Sequence, residues 1–123
     1  MKYALLIYSA PEARPNERPT DDGVFDDWVA YTRALRSAGA LVAVERLQDV
    51  GTATSVRLRG GERLLTDGPF IETKEHLLGF YLVEAADLDA AIEWAARMPH
   101  IRQGTVEVRP LLPFLAMIQA AME

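Results

Sequence analysis

Cysteine is absent from this chain of 123 residues, and histidine occurs only twice. Without thiols there are no disulfides and no thiolate chemistry, which suits a reducing compartment, so a cytoplasmic protein is expected. His76 and His100 are too far apart for a metal-ligand spacing such as H-E-x-x-H, and the acidic residues form no EF-hand pattern. Neither histidine falls on a helix facing the interior, where haem would want an axial ligand, so neither a metal nor another cofactor is expected. Basic residues are also scarce: 13 Lys and Arg stand against 18 Asp and Glu, a formal charge of −5. A surface that neutralises phosphates needs clustered cations, so nucleic acid is excluded as a partner. No run of 18 apolar residues is present, and none of the chain is read as spanning a membrane. The apolar start "MKYALLIYSA" is too short for a signal peptide and gives way to polar "PEARPNERPTDDG", so it reads as a strand. There is no nucleophile elbow, Walker loop or G-x-G-x-x-G, no internal repeat and no low-complexity segment.

What is present is the composition of one soluble domain, residues 1–123: 50% hydrophobic and 25% charged side chains leave no room for a second core. Tyr3 to Tyr8, "YALLIY", is a buried strand ended by Ser9-Ala10-Pro11, and a proline-rich loop follows. From Asp22, apolar Val24, Trp28, Tyr31 and Leu35 recur at helical spacing as far as Gly39. Leu41 to Leu47 reads as a second strand, and Ser55 to Arg59 with Arg63 to Thr66 as a hairpin across Gly60-Gly61. "LGFYLVE" from Leu78 is another buried strand. Asp87 is placed to cap a helix in which Leu88, Ile92 and Ala95 share a face up to Pro99, and "TVEVR", Thr105 to Arg109, alternates as a last strand.

With the hairpin set aside, the order β-α-β-β-α-β is the ferredoxin-like split βαβ arrangement, an α+β fold with an antiparallel sheet. Its first and third strands lie at the centre, and those are the two that carry apolar residues on both faces. Two helices cover only one face, whereas an antiparallel sheet open to water alternates apolar with polar residues. The same face of a second subunit is the simplest cover, so we expect a homodimer in which two sheets close into a barrel. The apolar extension 111–123, "LLPFLAMIQAAME", is expected to be helical and to pack at or near that interface.

"LLTDGPFIETKEHLLGFYLVEAADLDAAIEWAARMP", together with "MKYALLIYSAPE" and "VEVRPL", closely resembles the YCII-related proteins of the DGPF type, over nearly the whole chain. The resemblance implies a dimeric α+β barrel, in agreement with the reading above. It implies little chemistry. Some relatives are associated with extracytoplasmic-function sigma factors, a regulatory context for this chain and not a reaction. The YciI branch suggests a His-Asp pair with the histidine near the start of the first helix, but the matching stretch "FDDWVAYTRAL" has Asp26, Asp27 and Trp28 and no histidine. No His-Asp mechanism is therefore carried over, and the fold alone chooses no reaction.

The most polar and most constrained residues lie in one loop, Asp67 to His76, "DGPFIETKEH". Asp67-Gly68-Pro69-Phe70 has a plain reading as a turn: Pro69 fixes its own φ, Gly68 takes dihedrals closed to other residues, and the Asp67 carboxylate accepts backbone N–H groups. Beyond it, Thr73 is placed to cap a single helical turn containing Lys74 and Glu75, in a short segment expected to hold Glu72, Lys74, Glu75 and His76 near the barrel mouth. Glu107 and Arg109 lie two apart on the last strand, hence on one face, with Val106 and Val108 on the other. Glu45 joins them if its face is the same, and Arg46 then does not. Charges on such a face are paired or hydrated, and a pocket allows both. Two readings stay open. The first is a ligand-binding or regulatory protein whose pocket uses Phe70, Lys74, His76, Glu107 and Arg109 for a small molecule. The second is a cofactor-free enzyme with Asp67 or Glu75 as proton acceptor and Lys74 or Arg109 holding an anionic group of a small organic substrate. Both use the loop from Asp67 to Glu75 as one wall of a pocket that Arg109 completes.

Overall fold

A computed structural model describes residues 1–9, 24–69, 75–102 and 104–123. The first strand, β1 (Lys2–Ser9), alternates cleanly at its centre: Tyr3, Leu5 and Ile7 go to the core while Leu6 and Tyr8 point to the opposite face and are half-buried. Helix α1 (Val24–Ser37) follows, with Tyr31 and Leu35 buried one turn apart and Trp28 packed beside them. Its acidic first turn, Asp26 and Asp27, and Arg36 in its last turn suit the helix dipole. Then come β2 (Leu41–Arg46), the hairpin strands β3 (Thr54–Arg59) and β4 (Glu62–Asp67), β5 (His76–Glu84), helix α2 (Leu88–Ala96), β6 (Gly104–Pro110) and a terminal helix α3 (Phe114–Met122). The hairpin forms a sheet of its own, and the other four strands make an antiparallel sheet in the order β2-β5-β1-β6. The expected ferredoxin-like α+β architecture is thus present, with "YALLIY" and "GFYLVE" in its two central strands.

Both α1 and α2 lie on one face of the four-stranded sheet. The core between them joins Leu5, Ile7, Tyr81 and Val83 from the central strands to Tyr31 and Leu35 of α1, Ala91 and Ala95 of α2, and Met98 beyond it. An aromatic cluster orients these layers. Trp28 stacks on Tyr81 at 5.9 Å and 12° between planes, and Tyr31 meets Tyr81, Trp28 and Trp94 edge-on. The buried hydroxyls are satisfied: Tyr31 donates to the Trp94 carbonyl at 2.7 Å, and Tyr81 shares a 2.7 Å bond with Thr32.

Helix α2 begins as the sequence suggests, with the Asp87 carboxylate accepting from Ala90 N–H at 2.9 Å. Its buried face is different. Leu88 and Ile92 are 49% and 45% exposed, and Ala91 and Ala95 face the core, with Trp94 packed alongside. The bond from Tyr31 to the Trp94 carbonyl and the ring contact of the same pair set the rotation of the helix, and two small side chains one turn apart let it lie close to the sheet.

Two irregularities fix which strand residues share a face. Between Ile7 and Tyr8 the pairing of β1 with β5 shifts, so that Gly79 stands opposite Ile7 and Leu77 opposite Tyr8, and the extra residue, Leu78, packs on the core. Between Leu41 and Ala43 the pairing of β2 with β5 shifts as well. Gly79 sits where β2 crosses closest. A Cβ there would run into the Glu45 carbonyl oxygen and approach the Arg46 Cα to 2.9 Å.

Candidate functional site

The sheet face turned away from α1 and α2 carries three ranks of side chains, because residues directly opposite in an antiparallel pair point the same way. Across β2, β5, β1 and β6 the middle rank reads Glu45, Phe80, Leu6, Glu107, and the next reads Ala43, Leu82, Ala4, Arg109. The third, at the other end, is Leu77, Tyr8 and Thr105. An apolar floor is therefore bordered by polar groups on its β6 edge and by Glu45 on its β2 edge. Arg46 pairs with Gly79, in the rank of the buried Ile7, and so belongs to the helix-covered face. The condition set on Glu45 by the sequence is met.

The β6 edge is one hydrogen-bonded chain. The Arg109 guanidinium donates from Nη2 to Glu107 Oε2 at 3.0 Å, and the Tyr8 hydroxyl donates to Glu107 Oε1 at 3.3 Å. The hydrogen bond of Arg109 holds the Glu107 carboxyl below its ordinary value; burial, the next largest effect, opposes this, and the charge of Arg109 and the Tyr8 hydroxyl add to the lowering. Arg109 is raised in turn, by the hydrogen bond and charge of Glu107. Burial first, and then the charge of Glu107 beside it, push the Tyr8 phenol up, so it stays a protonated donor at neutral pH. Farther along the same strand, Thr105 Oγ1 donates to Glu75 Oε1 at 3.2 Å, which brings the end of the charged loop onto this face.

The structure thus gathers Glu75, Glu107 and Arg109, and adds Tyr8 and Thr105, which sequence reasoning missed. Parity alone could have found both: Tyr8 alternates with the apolar core residues of its strand, and Thr105 with Val106. His76 goes elsewhere, standing opposite the buried Ser9 in the rank of the core residues. Asp67 ends β4 opposite Thr54, exposed, in the separate two-stranded sheet. Its neighbour Gly68 has φ of 96°, the left-handed conformation expected of the turn, held by Gly68 N–H to the Ala53 carbonyl at 2.7 Å and by Ser55 Oγ to the Gly68 carbonyl at 2.8 Å. Phe70, Glu72, Thr73 and Lys74 lie outside the described residues. Among the described residues no three His, Asp or Glu side chains are placed to hold a metal ion, and no helix is long and apolar enough to cross a membrane.

Chemically, the arrangement offers an apolar surface beside an arginine whose side chain is 66% exposed and commits to Glu107 one of the five N–H donors a guanidinium has. It also offers a neutral phenol touching an ionised carboxylate. Comparison with known proteins bears on the same residues: the model of the YCII-related domain matches residues 1–115, which include every residue of this face. A protein of Rhizobium meliloti (strain 1021), described as uncharacterised, is 40% identical over 114 residues, which cover 90% of this chain and 92% of that protein. On both grounds the chain belongs to the YCII-related domain family.

Proposed function

We propose that the open face of the sheet is a binding site for a small organic acid, closed over by the same face of a second copy of the chain. The observation that carries this reading is the Tyr8–Glu107–Arg109 chain of hydrogen bonds on the border of an otherwise apolar face. The rank beginning at Arg109 continues through Ala4 and Leu82 to Ala43. Packed sheets lie about 10 Å apart, and alanine side chains do not fill that space. A ligand carboxylate on the remaining donors of Arg109, with an apolar body over Ala4 and Leu82, fits the room left. Glu107 holds the guanidinium in place, and Tyr8 holds Glu107. The protein then acts as a ligand-binding or regulatory domain; the resemblance alone supplies the sigma-factor setting for that role.

Thermal shift against a panel of small organic acids tests the reading. Acids that bind should raise the melting temperature of the native protein, and Arg109→Met should remove the rise while leaving the unliganded melting temperature within a degree or two, since an exposed ion pair contributes little to stability. A panel in which no acid stabilises the native protein, or an Arg109→Met variant that still responds, would refute it. A second reading, acid-base catalysis, rests on one contact alone: the Tyr8 hydroxyl donates to the Glu107 carboxylate at 3.3 Å, beside the apolar floor where a substrate would lie. Turnover of a stabilising acid, lost in Tyr8→Phe while its binding persists, would decide for the enzyme.

A further inference from the structure

The open face carries a second cation beside Arg109. Along β1 the residues turned to this face are Lys2, Ala4 and Leu6, and the pairing of this stretch with β5 and β6 is regular, so Lys2 points the same way as Ala4. Ala4 stands directly opposite Arg109, which makes Lys2 the diagonal neighbour of Arg109 across the pair of strands. Diagonal positions lie roughly 7–8 Å apart, within reach of long side chains. The backbone of Lys2 is held on both sides: it pairs with Glu84 of β5, and its carbonyl accepts from Leu111 N–H at 2.9 Å. Only its side chain is left to move.

The charges at this corner do not cancel. Glu84 faces Lys2, yet its carboxylate accepts from the Met1 amino group, and among the described residues no hydrogen bond or ion pair joins it to Lys2. Glu107, in the rank on the other side of Arg109, takes one donor of the guanidinium. Glu84 and the Met1 amino group are neutral together, whereas Lys2, Arg109 and Glu107 sum to one positive charge, in a chain whose formal charge is −5. Lys2 also belongs to the last rank of the sheet at this end, where β1 begins and β5 finishes, so it stands at the rim of the face with the Ala4 row just inside. A lone surplus cation at the rim of an apolar row attracts an anion to that row.

We infer that Lys2 is a second ligand-holding residue: its ammonium and the Arg109 guanidinium clamp one carboxylate between them over Ala4, and the acid that fits is a monocarboxylate with an apolar body. This rests on the acid-binding reading and adds to it a residue and a charge. Two carboxylates at the same corner would exceed its single positive charge. Titration calorimetry with benzoate and hexanoate tests the clamp. Both should bind the native protein, and Lys2→Met should raise each Kd by about tenfold, as the loss of one hydrogen bond to a charged group does, while Lys2→Arg keeps most of the affinity. Without acid the three proteins should melt together, because Lys2 is exposed and the change removes no contact within the fold. A Lys2→Met protein that binds both acids as tightly as the native chain does, while Arg109→Met binds neither, overturns the clamp and leaves the acid-binding reading in place. Adipate bound more tightly than hexanoate overturns the monocarboxylate class. Failure of both acids to bind the native protein overturns the inference whole, and the wider panel of acids then decides separately whether the face binds any acid.

Discussion

Tyr31 shows how much one side chain in this core is asked to do. Its ring touches three aromatic partners edge-on, and its hydroxyl satisfies a carbonyl of α2. Tyr31→Phe keeps the rings in place and leaves the Trp94 carbonyl without its donor, so chemical denaturation should show a loss of about 1–2 kcal/mol. The same residue makes stability depend on alkaline pH. Burial, and then the neighbouring Tyr81, raise its phenol well above the ordinary value near 10, and burial raises Tyr81 too. A group whose folded pKa is raised contributes stability that is complete below the unfolded value and lost as pH climbs through the folded one. The melting temperature should therefore fall with pH above about 10, and Tyr31→Phe should flatten that fall without abolishing it, because Tyr81 remains.

At the scale of elements, the contact of β2 with β5 depends on a missing side chain. Gly79 faces Arg46 across the pair, and an added Cβ meets β2 backbone, which cannot move aside as a flexible side chain can. Gly79→Ala should cost about 1–3 kcal/mol, the usual range for forcing extra volume into a packed site, and amide exchange should quicken first in β2. Equal protection of β2 in native and variant protein would show that the strand does not depend on this approach. The bulge at Leu78 has a different consequence. It moves one apolar side chain to the core and returns Leu77 to the rank of Tyr8, so the candidate site keeps an apolar border on β5 as well.

For the whole molecule, the neighbours Tyr81 and Leu82 separate folding from the proposed pairing of open faces. Tyr81 is buried under the helices, and Leu82 lies in the Arg109 rank of the open face. Leu82→Asp should leave a folded monomer, seen by circular dichroism and light scattering, whereas Tyr81→Asp should unfold the chain, because an unpaired carboxylate would enter the core. A Leu82→Asp protein that remained a dimer at micromolar concentration would show that the sheets do not face each other.

Strand and helix order were legible from the sequence because periodicity is a local property: "YALLIY", "LGFYLVE" and the spacing of Trp28, Tyr31 and Leu35 dictate their elements whatever lies around them. Parity likewise puts Glu107 and Arg109 on one face, since they lie two apart in a strand. The rotation of α2 was not legible, since Leu88 and Ile92 are more apolar than Ala91 and Ala95 and only the Tyr31–Trp94 contact decides which pair is buried. Nor was the company that Glu107 keeps. Tyr8 and Glu107 are 99 residues apart, and two register shifts, at Ile7/Tyr8 and Leu41/Ala43, determine which of their neighbours on β5 and β2 share their face. A slip of one residue in a strand sends every side chain to the other face, and register is set by pairing between strands, which only the tertiary structure contains.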